Sequence, residues 1–217
     1  MGEINLLKNY PKTNRNLSER SKKTIQQQEI ARMFGKDFFD GDRSVGYGGF
    51  NYNKKYWDTV VQDFIGYYGL NHSSHILDVG CGKGFMLYDF SRHLPGAYLR
   101  GLDISEYAIN NSLKEIKKNL DIGCCSKLPY KDNAFDLVIS INTIHNLELE
   151  KCKIAIQEIA RVSRRNAFII VDAYKNNQQK KDLFDWNLTA KTILHQNEWL
   201  KLFEESNYKG DYFWFCP

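Results

Sequence analysis

A glycine-rich turn between an apolar run and a helical pattern constrains this chain more than any other feature. The run at residues 76–79 has the composition of a buried strand, and it carries one acidic residue, Asp78. Three glycines follow within the turn Gly80–Gly84, and an amphipathic helical pattern begins at Phe85. Glycines let the backbone turn tightly and bring its N–H groups close to a ligand, and the start of a helix adds a partial positive charge. The segment therefore predicts a strand, turn and helix unit that holds a ligand against the main chain.

Short apolar runs alternate with helical patterns on both sides of this turn. The predicted strands are His75–Val79, Tyr98–Asp103, Leu120–Gly123, Phe135–Ile141 and Ala167–Asp172. The helical patterns between them cover Phe85–His93, Glu106–Lys118 and Leu149–Val162. Strands that alternate with crossover helices predict an α/β fold, with a mostly parallel sheet and helices on both faces. The tail adds helical patterns at about Gln178–Leu194 and Asn197–Ser206 and a last strand, Asp211–Phe215.

The N-terminal part differs in composition from the rest of the chain. Its first forty residues are rich in Lys, Asn, Gln and Arg, and a helix from Ser18 to about Phe34 is predicted there. Residues 41–52 contain four glycines and two tyrosines, which indicates a loop, and a one-sided helix follows at residues 56–68. We therefore divide the chain into a helical arm with a glycine-rich loop, residues 1–68, and a second domain, residues 69–217.

Composition excludes several functional classes. The 30 Lys and Arg residues against 26 Asp and Glu give a net charge of +4, well below the basic balance of a dedicated nucleic-acid binder. The five cysteines are irregularly spaced, so we expect reduced thiols, a cytoplasmic location and no metal site. No apolar run approaches the ~20 residues needed to cross a bilayer, and the start of the chain lacks the pattern of a signal peptide. We expect no membrane partner.

The spacing of the glycines selects among nucleotide-binding folds. A dinucleotide fold has the pattern Gly-x-Gly-x-x-Gly, whereas here the third glycine comes one residue earlier and Asp78 precedes the first. The sequence Asp-x-Gly-x-Gly-x-Gly resembles motif I of the class I S-adenosylmethionine-dependent methyltransferases, over about residues 69–203. The resemblance implies a Rossmann-like fold with strand order 3-2-1-4-5 and an antiparallel last strand. It also implies that the turn holds the methionine part of S-adenosylmethionine, and that Asp78 orients the turn or meets the cofactor's amino group through water.

Further cofactor contacts follow from the resemblance. Asp103 ends the next strand 19 residues after Gly84, where a carboxylate can accept hydrogen bonds from both ribose hydroxyls, and Ile104 would lie against adenine. Cys124 stands where the family usually has an Asp that binds the adenine amine, so we expect weaker adenine binding. No neighbouring residue indicates a thiolate of low pKa at this cysteine pair. The cofactor-binding candidates are Asp78, Gly80, Cys81, Gly82, Lys83, Gly84, Asp103, Ile104, Cys124, Cys125, Ser126 and Asn142.

Polar residues also follow the fourth and fifth predicted strands, at the edge of the sheet where ligands bind in open parallel sheets. His145 is a candidate general base, with a packed or capping histidine as the alternative. Asp172 and Tyr174 are candidates for orienting the substrate, or they cap the strand. Arg43, Tyr47 and Tyr52 belong to the glycine-rich loop, where the resemblance implies a lid over cofactor and substrate. They are candidate substrate or lid residues of this predicted lid loop.

The sequence thus favours methyl transfer from S-adenosylmethionine to a hydroxyl or amine of a small molecule. A first alternative is an RNA or protein methyltransferase that uses the basic arm as a clamp. The segment after the fourth strand lacks the Asn-Pro-Pro-Tyr pattern of base methylases, and together with the modest charge this makes a nucleic-acid partner unlikely. A second, less favoured alternative is a nicotinamide-dependent oxidoreductase. The oligomeric state is left open.

Overall fold

The computed structural model describes residues 1–12, 15–48 and 51–217, so Gly49 and Phe50 of the predicted lid loop lie outside the described residues. The strands are β1 (His75–Val79), β2 (Tyr98–Asp103), β3 (Leu120–Ile122), β4 (Phe135–Ile141), β5 (Ser163–Tyr174), β6 (Leu194–His195) and β7 (Asp211–Phe215). The α-helices are α1 (Leu17–Arg20), α2 (Ile25–Arg32), α3 (Lys36–Asp40), α4 (Lys54–Tyr68), α5 (Phe85–His93), α6 (Glu106–Asn110), α7 (Lys114–Lys117), α8 (Leu149–Val162), α9 (Asn177–Trp186) and α10 (Gln196–Glu205).

These strands form one twisted sheet in the order β3-β2-β1-β4-β5-β6, and β7 also pairs with β5. Strand β1 pairs in parallel with β2 on one side, His75 opposite Tyr98, and with β4 on the other, Ile76 opposite Leu137. The carboxyl ends of β1, β2 and β4 therefore meet at one edge. The α/β, Rossmann-like fold and the 3-2-1-4-5 order are confirmed.

The predicted antiparallel direction of the last strand is wrong. β7 pairs with β5 in parallel, with Phe168 opposite Asp211 and Asp172 opposite Phe215. The reason is the preceding helix, α10, whose ten residues span about 15 Å. It carries the chain back across the sheet, and Gly210 then lies against Ala167, near the start of the stretch of β5 that pairs with β7. A strand, crossover helix and strand give a parallel pair, so the connection here overrides the family pattern.

Apolar side chains fill both faces of the sheet because successive residues of a strand point to opposite sides. Leu77 and Val79 lie in a cluster on the face covered by α8 and α10. Ile76 lies in the opposite cluster, which α4 and α5 cover. In that cluster the fully buried Phe64 of α4 contacts Phe168 edge to face, with ring centroids 5.1 Å apart. Helix α4 is thus part of the core, and the division of the chain at residue 68 stays a prediction.

Two predicted helices are broken. The helix predicted from Ser18 to Phe34 is two short helices, because Thr24 caps α2 through a reciprocal pair of hydrogen bonds with Gln27 and so starts a new helix. The pattern at Glu106–Lys118 also divides, into α6 and α7. Residues 2–4 extend the sheet instead: Ile4 N donates to Tyr212 O at 2.9 Å, beside β7. Within the described part of the chain, no helix has the length and apolar character needed to span a membrane.

Truncation of Phe64 tests the packing of α4 on the sheet. We expect Phe64→Ala to lower the free energy of unfolding by about 3–5 kcal/mol, because the ring is fully buried and its removal leaves a cavity. Tyr67→Ala on the same helix is the matched control, since that side chain is 51% exposed, and we expect it to cost less than about 1 kcal/mol. Urea denaturation measures both. Equal losses for the two variants would contradict the packing described here.

Candidate active site

The glycine turn joins three strands at their carboxyl ends. Gly80 N and Cys81 N both donate to Leu102 O of β2, at 2.7 and 3.2 Å. Gly80 has a φ of +86°, and a Cβ atom at this position would lie 2.0 Å from the Thr143 Oγ1 atom, just after β4. Gly84, with a φ of +74°, is the cap of α5. Only glycine permits both the left-handed backbone and the close approach at position 80.

Asp103 fastens this turn to the end of β2. Its Oδ2 atom accepts from Gly82 N at 2.7 Å, and its Oδ1 atom accepts from Ser105 N at 2.8 Å. Burial raises the pKa of Asp103, and these two amide hydrogen bonds oppose that effect. Each carboxylate oxygen has a second lone pair available. Asp103 can therefore hold the turn and still accept two hydroxyl groups.

Asp78 lies beneath the turn in a buried position at the end of β1. Burial and the neighbouring Asp103 carboxylate raise the pKa of Asp78 to about 7. A positive group placed next to it would favour the ionised form and lower that pKa.

Helix α3 of the arm covers the turn. Asp40 accepts from Lys83 Nζ at 2.5 Å and from the Tyr107 hydroxyl at 2.7 Å, so it joins α3 to the turn and to α6. Phe39 lies over Gly82, where a Cβ atom would meet its ring at 3.4 Å. The sequence did not single out Phe39 or Asp40. The charge of Lys83 indicates that it needs a carboxylate partner. Asp40 lies 43 residues before Lys83 in the sequence, so this pairing could not be predicted from spacing.

A cavity of about 630 Å³ opens at the same edge of the sheet, beside the start of α5. Five of the predicted site residues line it: Arg43, Tyr47, Asn142, His145 and Asp172. Both ends of the described chain contribute as well: the N-terminal part through Asn5, Leu7, Tyr10, Pro11, Lys12 and Arg15, and the C-terminal part through residues 213–216. Much of the wall is aromatic: Tyr10, Phe38, Tyr47, Tyr56, Trp57, Phe85, Trp186, Phe213, Trp214 and Phe215.

The structure brings His145 and Asp172 together in the floor of this cavity. Both are buried, and Asp172 N donates to His145 Nδ1 at 2.9 Å, which leaves the ring proton of the neutral imidazole on Nε2. Burial lowers the pKa of His145 and raises that of Asp172. A ring that already accepts through Nδ1 and carries its proton on Nε2 has no site left to take a proton. This geometry argues against His145 as the general base and favours it as a hydrogen-bond donor.

Two of the candidate tyrosines lie away from the cavity, and a third is held at its wall. The Tyr52 hydroxyl donates to Asp89 Oδ1 at 2.6 Å, which holds it against α5. Tyr174 packs on His195, with ring centroids 5.5 Å apart, and it is not among the described residues that line the cavity. The Tyr47 hydroxyl lines the cavity but already accepts from Leu188 N at 2.8 Å. None of these three contacts was visible in the sequence, because each partner is distant along the chain.

The cysteine pair differs from expectation. Hydrogen bonds from the Cys125 thiol and from Ser126 lower the pKa of Cys124 to about 5, with Cys124 Sγ 3.1 Å from Ser126 Oγ. The expectation that no neighbour would favour a thiolate here is therefore wrong. Cys125 is buried in the core. Ile104, the predicted adenine contact, is 57% exposed.

Comparison with known proteins identifies the domain that carries this site. Residues 77–171, which include the turn, Asp103 and His145, match the family described as "Methyltransferase domain". The chain carries a class I S-adenosylmethionine-dependent methyltransferase domain. The predicted family and its cofactor, S-adenosylmethionine, are thereby confirmed.

Proteins similar to this chain include enzymes named for very different acceptors. The chain is 31% identical over 134 residues to the tRNA (carboxymethyluridine(34)-5-O)-methyltransferase of Arabidopsis thaliana, covering 60% of this chain and 31% of that protein. It is 30% identical over 150 residues to the ajmaline N-methyltransferase of Rauvolfia serpentina, covering 66% of this chain and 47% of that protein. The chain thus spans less than two thirds of the length of either relative.

A solved structure agrees with the fold. YcgJ of Bacillus subtilis superposes with a TM-score of 0.54 over 67% of this chain and 66% of that one, at 17% identity. At this identity the likeness concerns the architecture of the methyltransferase domain alone.

The residues of the methyltransferase site fit S-adenosylmethionine. Asp103 retains two lone pairs that suit the paired hydroxyls of a ribose, and the three glycines of the turn carry no side chains of their own. The buried Oδ1 atom of Asn146, which lines the cavity, has no hydrogen-bond donor among the described residues and suits an ammonium group. Among those same residues, no three His, Cys, Asp or Glu side chains gather as a metal site would require.

Proton release on binding tests the position of Asp78. Because its pKa is about 7 in the free protein, the group is about half protonated at pH 7. We expect a bound ammonium group to lower this pKa, so S-adenosylhomocysteine binding should release up to about half a proton at pH 7, and affinity should rise between about pH 6 and 8. Calorimetry in buffers of different ionisation enthalpy measures the release. Asp78→Asn should abolish it, and equal release from both proteins would assign the proton to another group.

Removal of the Asp40 carboxylate tests the cover formed by α3. We expect Asp40→Ala to increase the dissociation rate of S-adenosylhomocysteine by about 10-fold, because Lys83 and Tyr107 both lose their partner on the arm. Asp37→Ala on the same helix is the matched control, since Asp37 is exposed. Stopped-flow displacement measures both rates. Unchanged dissociation in Asp40→Ala would mean that α3 does not retain the cofactor.

Proposed function

We propose that the protein transfers the methyl group of S-adenosylmethionine to a hydroxyl or amine of a small molecule bound in the aromatic cavity. The observation that carries this proposal is the position of the cavity. It lies between Phe85, which directly follows the glycine turn, and the buried pair of His145 and Asp172. Its volume falls in the range typical of small-molecule sites.

The described residues around the cavity supply one group suited to remove a proton. Asp172 is the single carboxylate in the described lining, and burial raises its pKa, which makes the ionised form a stronger base than an exposed carboxylate. Asn187 donates to its Oδ2 atom, and His145 lies 3.6 Å from its Oδ1 atom. We assign proton removal to Asp172 and alignment of the acceptor to the Nε2–H group of His145.

When bound, S-adenosylmethionine supplies a sulfonium methyl group, and attack by the acceptor's lone pair breaks the bond from methyl to sulfur and leaves S-adenosylhomocysteine. The chain's own contribution is to align the acceptor with that methyl group and to exclude water by the aromatic wall. Alignment of two reactants can contribute ~7–11 kcal/mol to lowering the barrier. The proton lost from the acceptor passes to the Asp172 carboxylate.

Methylation of RNA or protein is the alternative, and the tRNA-methyltransferase relative favours it. The basic residues of the arm weigh against this role, because several of them already bind backbone oxygens of the same chain. Arg20 donates to Gly46 O at 3.0 Å, and Lys23 donates to the carbonyl oxygens of Phe184 and Asp185. Arg20 is thus bound to the lid loop and Lys23 to the second domain, and neither is free to form a phosphate clamp. A small-molecule acceptor therefore remains our proposal, and a cytoplasmic location stays a prediction.

Substitution of Asp172 tests the mechanism. With methyl-labelled S-adenosylmethionine and a metabolite extract, we expect label to enter the small-molecule fraction, and Asp172→Asn to slow this transfer ~10²–10⁴-fold. Affinity for S-adenosylhomocysteine should change little. The rate for the unmodified protein should rise with pH as Asp172 ionises, above the pH at which an ordinary carboxyl group ionises, and this rise should disappear in the variant.

Tyr174→Phe is the control, because its ring lies outside the cavity and we expect turnover within about threefold of the unmodified protein. Label that enters RNA or protein and not small molecules would contradict the proposed acceptor class. Full turnover by Asp172→Asn would contradict the assignment of the base.

A further inference from the structure

Two arginines at the cavity differ from all other arginines of the chain. The sequence contains nine arginines. Seven of them donate hydrogen bonds to backbone oxygens or pair with carboxylates: Arg20, Arg32, Arg92, Arg100, Arg161, Arg164 and Arg165. Arg15 and Arg43 have no such acceptor among the residues that the structure describes, and both line the cavity. Guanidinium groups are the side chains best suited to bind carboxylates and phosphates.

Aromatic rings hold Arg15 in place without using its N–H groups. Its guanidinium lies over the ring of Phe215, at 4.7 Å from the centroid, and over that of Trp186, at 5.7 Å. Stacking occupies the face of the planar group and leaves the N–H donors at its edge for an acceptor. The position of Arg15 is therefore fixed before any ligand binds, which reduces the entropy lost on binding.

The charges around the cavity are unbalanced. Its described lining includes the cations Lys12, Arg15 and Arg43 against the single carboxylate Asp172. Asp172 lies at the floor and is 2% exposed, whereas all three cations are exposed and lie on the arm and the lid loop. A ligand that enters the cavity thus meets positive charge at the mouth, aromatic rings along the wall and the proposed base at the floor.

We propose that the acceptor is an anionic small molecule with a flat apolar body, whose carboxylate or phosphate group binds Arg15 and Arg43 while its acceptor atom faces Asp172. This inference rests on the proposed function, since it names the acceptor class of the same cavity. The N-terminal arm and lid loop then select the acceptor, and the glycine turn and Asp103 bind the cofactor.

Binding of simple probes tests the anion site independently of turnover. With S-adenosylhomocysteine present, we expect benzoate and phenyl phosphate to bind, as measured by ligand-observed NMR, and benzamide and benzylamine to bind at least 10-fold more weakly. Arg15→Gln and Arg43→Gln should each weaken binding of the anions about 10-fold or more. Arg165→Gln is the matched control, because this exposed arginine pairs with Asp136 on β4, outside the cavity lining. Comparison of benzoate with phenyl phosphate distinguishes a carboxylate site from a phosphate site.

Turnover of a panel of hydroxylated and aminated aromatic compounds completes the test. For anionic members, Arg15→Gln and Arg43→Gln should raise KM about 10-fold or more and leave kcat and S-adenosylhomocysteine affinity within about threefold. Loss of S-adenosylhomocysteine affinity in these variants would overturn the inference, because the arginines would then bind the cofactor's carboxylate. Preference for neutral or cationic acceptors would overturn it and leave the methyltransferase proposal intact. Probe binding that depends on Arg15 and Arg43, with label found only in RNA or protein, would instead contradict the proposed function and retain the anion site.

Discussion

Contact between the Gly80 backbone and the Thr143 side chain sets the geometry on which the site depends. Because position 80 has no Cβ atom, the end of β1 and the segment after β4 approach more closely than any other residue type would permit. This approach brings the glycine turn next to Asn142 and His145, which belong to a different strand connection. The cofactor turn and the cavity are neighbours for this reason.

Local patterns were sufficient to predict the regular elements. The bounds of α5 and α8 agree with the sequence prediction, because an apolar stripe and a clear break define each helix. The pattern that became α6 and α7 was read as one helix, although Asn110, Asn111 and Ser112 have low helix propensity and end the first segment. The antiparallel direction predicted for β7 followed the family pattern. Helix α10, which precedes the strand, instead makes β7 parallel to β5.

Side-chain partners could not be predicted in the same way. The positions of the turn and of Asp103 were predictable, because both lie at the ends of predicted strands, and their contacts with the cofactor stay predictions that follow from the resemblance. The hydrogen bond from Asp172 N to His145 joins two strand ends 27 residues apart in sequence, and it changes which nitrogen carries the proton. The position of Tyr52 in the lid loop predicts a place near the substrate. In the structure its hydroxyl group donates to Asp89 of α5 instead. Such pairings depend on tertiary geometry, and sequence spacing carries little information about them.

The pairing of residues 2–4 with β7 gives the site an order of assembly. Gly2 N donates to Asp211 Oδ1, a contact that spans 209 residues of sequence. During synthesis the N-terminal segment emerges first, but it has no strand to pair with until β7 has been made. Contacts of such large sequence separation form late in folding, because they close long loops. The central strands and the glycine turn can therefore assemble before the outer wall of the cavity, which needs both ends of the described chain.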